Sequence, residues 1–167
     1  GISSTMLRAE NQKVIRIGVV GSGRIARRFV PETSVVDGLV VTSVYNPNKE
    51  SADSFAVDFS VKAFWNSYDM FLSNIDAVYV ASPHLTHYSY MKAALMAGKH
   101  VLCEKPMATT VEDAKAMEAA AEKNNKLLMV GFVRRFGNDA KILMEFKEND
   151  FFGELYYGKA TYLRRHG

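Results

Sequence analysis

One cysteine, Cys103, stands in 167 residues. No disulfide can close within a single chain that holds one thiol. Cys103 lies in the apolar stretch HVLCE, where cysteine serves as a small inert core residue more readily than as a nucleophile. Net charge is small as well: 21 Lys and Arg against 18 Asp and Glu leave +3. So slight a surplus excludes nucleic acid and an anionic membrane as the expected partner, while leaving small anionic ligands open. No apolar stretch nears the roughly 20 residues that a bilayer span needs. The opening GISSTMLRAENQK is polar, so nothing points to export or insertion and a cytoplasmic protein is expected. Internal repeats and low-complexity tracts are also missing.

What is present is a rhythm. The chain is 48% hydrophobic, enough for one well-filled domain. Short runs rich in valine and isoleucine alternate with longer stretches of helical period. Strands are expected at 14–20, 39–45, 61–65, 76–82, 100–104 and 127–133. They are apolar on both faces, as in central parallel strands covered by helices. Helices are expected at 24–35, 49–59, 67–73, 85–97, 110–125 and 138–148. Thr110 is placed to cap one of them, with Glu112 and Asp113 in its first turn, and Gly98 and Asn125 fall at helix ends. Repeated strand and helix, joined by right-handed crossovers, give an α/β doubly wound parallel sheet.

Domain boundaries follow. Residues 1–13 read as an extension, with Gly1 to Thr5 ahead of Met6 an expression remnant. Residues 14–150 read as a dinucleotide-binding domain, and 151–167 as the start of a truncated substrate domain. In that last segment GELYYGKATYLRR (153–165) alternates as one amphipathic strand, the first of a second α+β domain. A lone strand carrying Tyr156, Tyr157 and Tyr162 exposes an edge, so self-association into a homo-oligomer is expected.

The first strand runs into GSGRIA. A G-x-G-x-x-G/A pattern is weak alone and gains meaning between a strand and a helix, the setting of a Rossmann phosphate turn. Gly21 permits the tight turn, Gly23 lets the backbone approach a diphosphate, and Ala26 lets helix pack on strand. The free N–H groups of Ser22, Gly23, Arg24 and Ile25 face the phosphates. The second strand ends at Asn46, where an acid would select NAD through the ribose 2′-hydroxyl. An amide accepts either coenzyme, and Arg24 and Lys49 are near enough in sequence to neutralise a 2′-phosphate, so the cofactor reads as NAD or NADP.

Ligands of such sheets sit outside the carboxyl ends of the strands. There ASPHLTH supplies Ser82, Pro83, His84 and His87. His84, His87 and Cys103 match no zinc spacing, so no metal is expected, and a histidine at a helix mouth suits a cofactor contact or a cap. The fifth strand ends in Glu104, Lys105 and Pro106. The proline holds Lys105 extended at the strand end. Beside an oxidised nicotinamide, the protonated form of that amine is disfavoured, which suits it to proton transfer. The plainer alternative is a salt bridge to Glu104 or a solvated lysine.

Together IRIGVVGSGRIA, VYNPNKESADSFAVDF, DAVYVASPHLTHYSYMKAALMAGKHVLCEKPMA and VGFVRRF resemble the nucleotide-binding half of the Gfo/Idh/MocA oxidoreductases, from about Val14 to Arg165. The resemblance implies NAD(P)-dependent oxidation or reduction of a sugar, cyclitol or related polyol. It implies that Lys105 is the catalytic lysine, that Gly21, Gly23, Arg24 and Ile25 form the phosphate loop, and that Asn46 takes the ribose. It further implies nicotinamide-side contacts from Ser82, His87 and Glu104, and a place near the substrate for Arg134 or Arg135. His84 departs from the asparagine common in that loop. A noncatalytic NAD(P)-binding sensor or partner-binding module is the alternative from another class, and a zinc-binding regulator is a third.

Overall fold

The computed structural model describes residues 14–161 and 163. Six strands alternate with helices: β1 (Ile15–Val20), α1 (Arg24–Thr33), β2 (Leu39–Tyr45), α2 (Lys49–Phe59), β3 (Lys62–Phe64), α3 (Ser67–Leu72), β4 (Ala77–Val80), α4 (His87–Met96), β5 (His100–Cys103), α5 (Val111–Lys123) and β6 (Leu128–Val130). All pairings are parallel, in the order β3-β2-β1-β4-β5-β6. That order reverses between β1 and β4, which opens a crevice there.

The strands expected from sequence form, several of them shorter. Ser82 and Pro83 turn the chain out of β4, and β6 ends at Val130 with a last ladder bond from the Gly131 amide to the Cys103 carbonyl (2.8 Å). Helix signals also act as expected. Thr110 Oγ1 accepts from the Asp113 amide at 3.1 Å, and Gly98 and Asn125 take left-handed φ values of 75° and 50° just beyond their helices. Asn48 and Asn66 cap α2 and α3 in the same way.

Period-2 alternation sorts the strand residues to two cores. On one face Val20, Val78, Val80, Val101 and Cys103 meet Met70, Phe71, Met91, Leu95 and Met117. On the other, Ile17, Val19, Val41, Val44 and Tyr79 meet Ala26 and Phe55. Burial of a side chain such as Phe55 or Phe71 contributes about 1.5–3 kcal/mol. At the amino edge of the sheet Arg16 and Asp76 join β1 to the start of β4, with Nε to Oδ2 at 3.0 Å and Nη2 to Oδ1 at 3.2 Å.

The chain divides into two compact units, one ending at Gly131 and one beginning at Phe132. The second holds a 3₁₀ turn (Val133–Phe136) and α6 (Asn138–Glu148), whose Phe146 ring lies 5.5 Å from Phe151 and 5.8 Å from Phe152. The expectation of a strand over 153–165 is corrected here. Residues 153–161 and 163 are irregular, with Tyr156 and Tyr157 exposed. A strand is defined by its ladder, and no partner for one is paired to these residues. Tyr162 and residues 164–167 lie outside the described residues, as does the 1–13 extension.

Candidate functional site

All six strand ends meet at one rim. At the end of β1, Gly21 has φ +101° and its amide donates to the Tyr45 carbonyl at 2.9 Å. A Cβ there would stand 2.8 Å from the Ala81 carbonyl oxygen, so only glycine lets the turn press against the end of β4. Gly23 is the opposite case: an added Cβ would meet nothing within 4 Å. It caps α1 with no side-chain bond, so the first-turn amides remain available. Arg24 and Ile25 are exposed on that turn. A dinucleotide fits this observation: open space over a glycine, bare amides and the positive end of a ten-residue helix suit a diphosphate.

Asn46 follows β2 and is firmly held. Its Nδ2 donates to Ser22 Oγ at 2.7 Å and its Oδ1 accepts from the Asn48 amide at 2.8 Å. Beside it lies a polar cavity of about 350 Å³, lined by Ser22, Arg27, Glu50, Ser51 and Ser54. Arg27 is partly committed, with Nη1 2.6 Å from Asp58 Oδ2. Lys49 has been drawn elsewhere: its ammonium lies 4.1 Å from the centroid of Trp65, whose indole N–H donates to Asp53 at 2.9 Å. Trp65 stands exposed just past β3, a rim residue that sequence reading passed over.

After β4, Ser82 is half-buried, and the Thr86 hydroxyl lies 2.8 Å from its Oγ and 2.7 Å from the Pro83 carbonyl. Pro83 and His84 are exposed. His87 takes a different place from the cofactor contact expected of it. Its ring is fully buried, Nδ1 is 2.8 Å from the Pro106 carbonyl oxygen and Nε2 is 2.9 Å from the Ser82 carbonyl oxygen. Both ring nitrogens face backbone carbonyls, the neutral ring donating its one N–H to one of them, and the buried ring turns neither nitrogen to open space.

At the end of β5, Glu104 does not pair with Lys105. Its Oε1 accepts from the Tyr79 hydroxyl at 2.8 Å. Tyr79 also stacks on Phe29, with ring centroids 3.8 Å apart. Burial, then the Glu104 hydrogen bond, raise the Tyr79 phenol far above its ordinary range, so it remains a donor. Lys105 is exposed, and among the described residues it makes no hydrogen bond or ion pair. Cys103 faces the core, its Sγ 3.2 Å from the Glu104 carbonyl oxygen. Burial pushes its thiol up to about 12, with a smaller push from the Glu104 charge, which makes it an unreactive packing residue.

His84, His87 and Cys103 form no ligand set; among the described residues no cluster of three His, Cys, Asp or Glu side chains could hold a metal ion. Arg134 and Arg135 are exposed on the 3₁₀ turn of the second unit. A larger groove of about 740 Å³ runs between α5 and the edge strand β6, past Met107, Val111, Leu128 and Val130. It is an opening along the sheet edge, away from the crevice between β1 and β4. Sequence reading missed Tyr79 as a functional neighbour. The signal was its parity: Tyr79 pairs with Leu102, and Glu104, two residues on, shares that face.

Comparison with known proteins bears on the family and the fold. The sequence profile of GFO_IDH_MocA, described as the oxidoreductase family with an NAD-binding Rossmann fold, matches residues 15–132. Glucose-6-phosphate 3-dehydrogenase of Bacillus subtilis (strain 168) is 34% identical over 155 residues, covering 90% of this chain and 44% of that protein. D-glucoside 3-dehydrogenase of Escherichia coli (strain K12) is 32% identical over 165 residues, covering 97% of this chain and 47% of that protein. The crystal structure of scyllo-inositol dehydrogenase from Lactobacillus casei with bound NAD(H) and scyllo-inositol superposes with a TM-score of 0.79 at 26% identity, covering 85% of this chain and 43% of that one. The chain thus spans less than half the length of these relatives. A profile matched over residues 15–132, which span all six strands, places this chain in the Gfo/Idh/MocA oxidoreductase family, as its NAD-binding Rossmann domain.

Proposed function

We propose that this chain is the dinucleotide-binding part of an NAD(P)-dependent oxidoreductase that moves hydride between nicotinamide and a hydroxyl-bearing carbon of a sugar or cyclitol. The observation that carries the reading is the Lys105 amine: exposed, unpaired among the described residues, and on the same rim as the bare amides around Gly23. A surface lysine with only a structural duty would be expected to hold its neighbour Glu104, and that carboxylate is taken by Tyr79 instead.

On this reading Gly21, Ser22, Gly23, Arg24 and Ile25 hold the diphosphate, and Asn46 the ribose. Ser82, Pro83, His84 and Glu104 form the wall of the nicotinamide side. A bound nicotinamide supplies the hydride acceptor. Lys105 Nζ takes the hydroxyl proton as the alcohol becomes a ketone and returns it in the reverse direction. Residues 14–150 are then the dinucleotide domain, and residues 151–167 lead towards the part that selects the substrate, with Arg134 and Arg135 as its nearest candidates. The sugar and cyclitol class is supported by what the relatives' names state of those proteins. The noncatalytic sensor has no comparable support, because nothing about sensing requires an unpaired amine at this rim.

The test is direct. NAD or NADP should raise the melting temperature of the chain, and calorimetry should give a single dinucleotide per chain. Identical melting curves with and without both coenzymes would overturn the reading.

A further inference from the structure

Lys105 is flanked by two tethered neighbours. On one side, Glu104 is held by the hydroxyl of Tyr79, which is 3% exposed. On the other, the Pro106 carbonyl is held by the ring of His87, which is 0% exposed. The two anchors approach from opposite faces of the sheet. Tyr79 belongs to the core beneath α1 and α2, whereas His87 opens α4 on the other side. Both come from the stretch β4 to α4, while the residues they hold follow β5. The second ring nitrogen of His87 lies 2.9 Å from the Ser82 carbonyl oxygen, so the ring packs between the two loops, a neutral imidazole donating its one N–H to one of the two carbonyls.

Buried polar side chains are retained when their partners repay desolvation, and here every partner lies within two residues of Lys105 or in the loop facing it. Neither Tyr79 nor His87 offers an atom to a ligand. We infer that Tyr79 and His87 are positioning residues: Tyr79 through the Glu104 carboxylate and His87 through the Pro106 carbonyl restrain the residues on both sides of Lys105 and so aim an amine that has no partner of its own. A long flexible side chain can be aimed only by holding the backbone from which it springs. The inference rests on the proposed role of Lys105 for its purpose, but not for its measurement.

The experiment uses the whole chain with its lysines carrying ¹³C-methyl groups, the Lys105 signal being assigned by its loss in Lys105→Arg. Spectra are taken with and without NAD, beside melting curves, for wild type, Tyr79→Phe and His87→Gln. In each variant we expect the free-protein Lys105 signal to shift and narrow as the residues on either side of it loosen, and its response to NAD to fall by about half or more. Dinucleotide affinity should stay within about threefold, since neither side chain touches the ligand. A merely structural role would lower the melting temperature and leave the Lys105 signal unmoved, which would overturn the inference. If a variant fails to fold, hydrogen exchange of the His87 ring N–H in wild type decides. Slow exchange supports the strap, and exchange at the rate of a solvated histidine refutes it. If wild type binds NAD and the Lys105 signal does not respond, the proposed function of Lys105 falls, while the two anchors are still judged on the NAD-free spectra.

Discussion

Asn46 Nδ2 donates to Ser22 Oγ at 2.7 Å, tying the end of β2 to the glycine turn after β1. The positions proposed for a dinucleotide's ribose and diphosphate are thus joined by a hydrogen bond between uncharged side chains. A neutral group at this point neither grips a ribose hydroxyl as an acid would nor repels a phosphate.

Asn46→Asp should therefore separate the coenzymes. The carboxylate can accept from the Ser22 hydroxyl, so the turn survives, but it faces a 2′-phosphate with like charge. We expect affinity for NADP to fall by about tenfold relative to NAD, corresponding to about 1.4 kcal/mol. Calorimetric titration with both coenzymes checks this, and an unchanged ratio would remove Asn46 from the ribose site.

The two glycines of the turn should respond in opposite ways. Gly21→Ala adds a methyl 2.8 Å from a backbone oxygen at φ +101°, and should cost about 1–3 kcal/mol of stability. Gly23→Ala meets no protein atom, so its melting temperature should stay near wild type. Its methyl projects into the proposed diphosphate space, however, and the stabilisation by NAD should disappear. Differential scanning calorimetry with and without NAD tells the two apart.

Lys105→Ala removes an exposed side chain without partners among the described residues. Melting temperature and NAD affinity should remain close to wild type. Any hydride transfer to NAD from an inositol or a glucoside, followed at the nicotinamide absorbance, should drop by about 100-fold or more. Retained transfer would return Lys105 to a structural role.

Alkaline pH should expose the burial of Cys103. Its thiol is raised from the ordinary 9.0 to about 12, chiefly by burial and secondarily by the Glu104 charge. Below the ordinary value both folded and unfolded chains keep the proton, and the stabilisation is complete. As pH rises from there towards the folded value, only the unfolded chain releases it, so stability should fall by about 1.4 kcal/mol per pH unit from this group. Urea melts of wild type and Cys103→Ala across that range should converge as pH rises. A constant difference between them would disprove the assignment. At neutral pH the native thiol should resist disulfide reagents until urea unfolds the chain.

The fold was legible in sequence because its signals are local. Runs such as VIRIGVV and LVVTSVY can be buried only as central strands, Thr110 and Gly98 mark helix ends by their own chemistry, and GSGRIA lies where a strand meets a helix. Parallel crossovers then restrict how the pieces can be joined. The strand expected at 153–165 does not form over the described residues 153–161 and 163 for a non-local reason: alternation prepares a segment for pairing but cannot supply the pairing edge.

The candidate site was half legible. Gly21, Gly23, Asn46 and Lys105 could be read because the end of each strand is marked along the chain and parallel strands bring all their ends to one rim. The partners of those residues could not be read. Whether Glu104 would meet Lys105 or Tyr79, whether His87 would face a ligand or brace two loops, and whether Lys49 would await a phosphate or rest on Trp65 all depend on register and packing between segments 16 to 25 residues apart. Contacts of that span are made only after β4 has docked against β5 and β2 against β3. Residue order fixes which groups reach the rim; the three-dimensional pairing of strands and helices fixes which of them remain unpaired there.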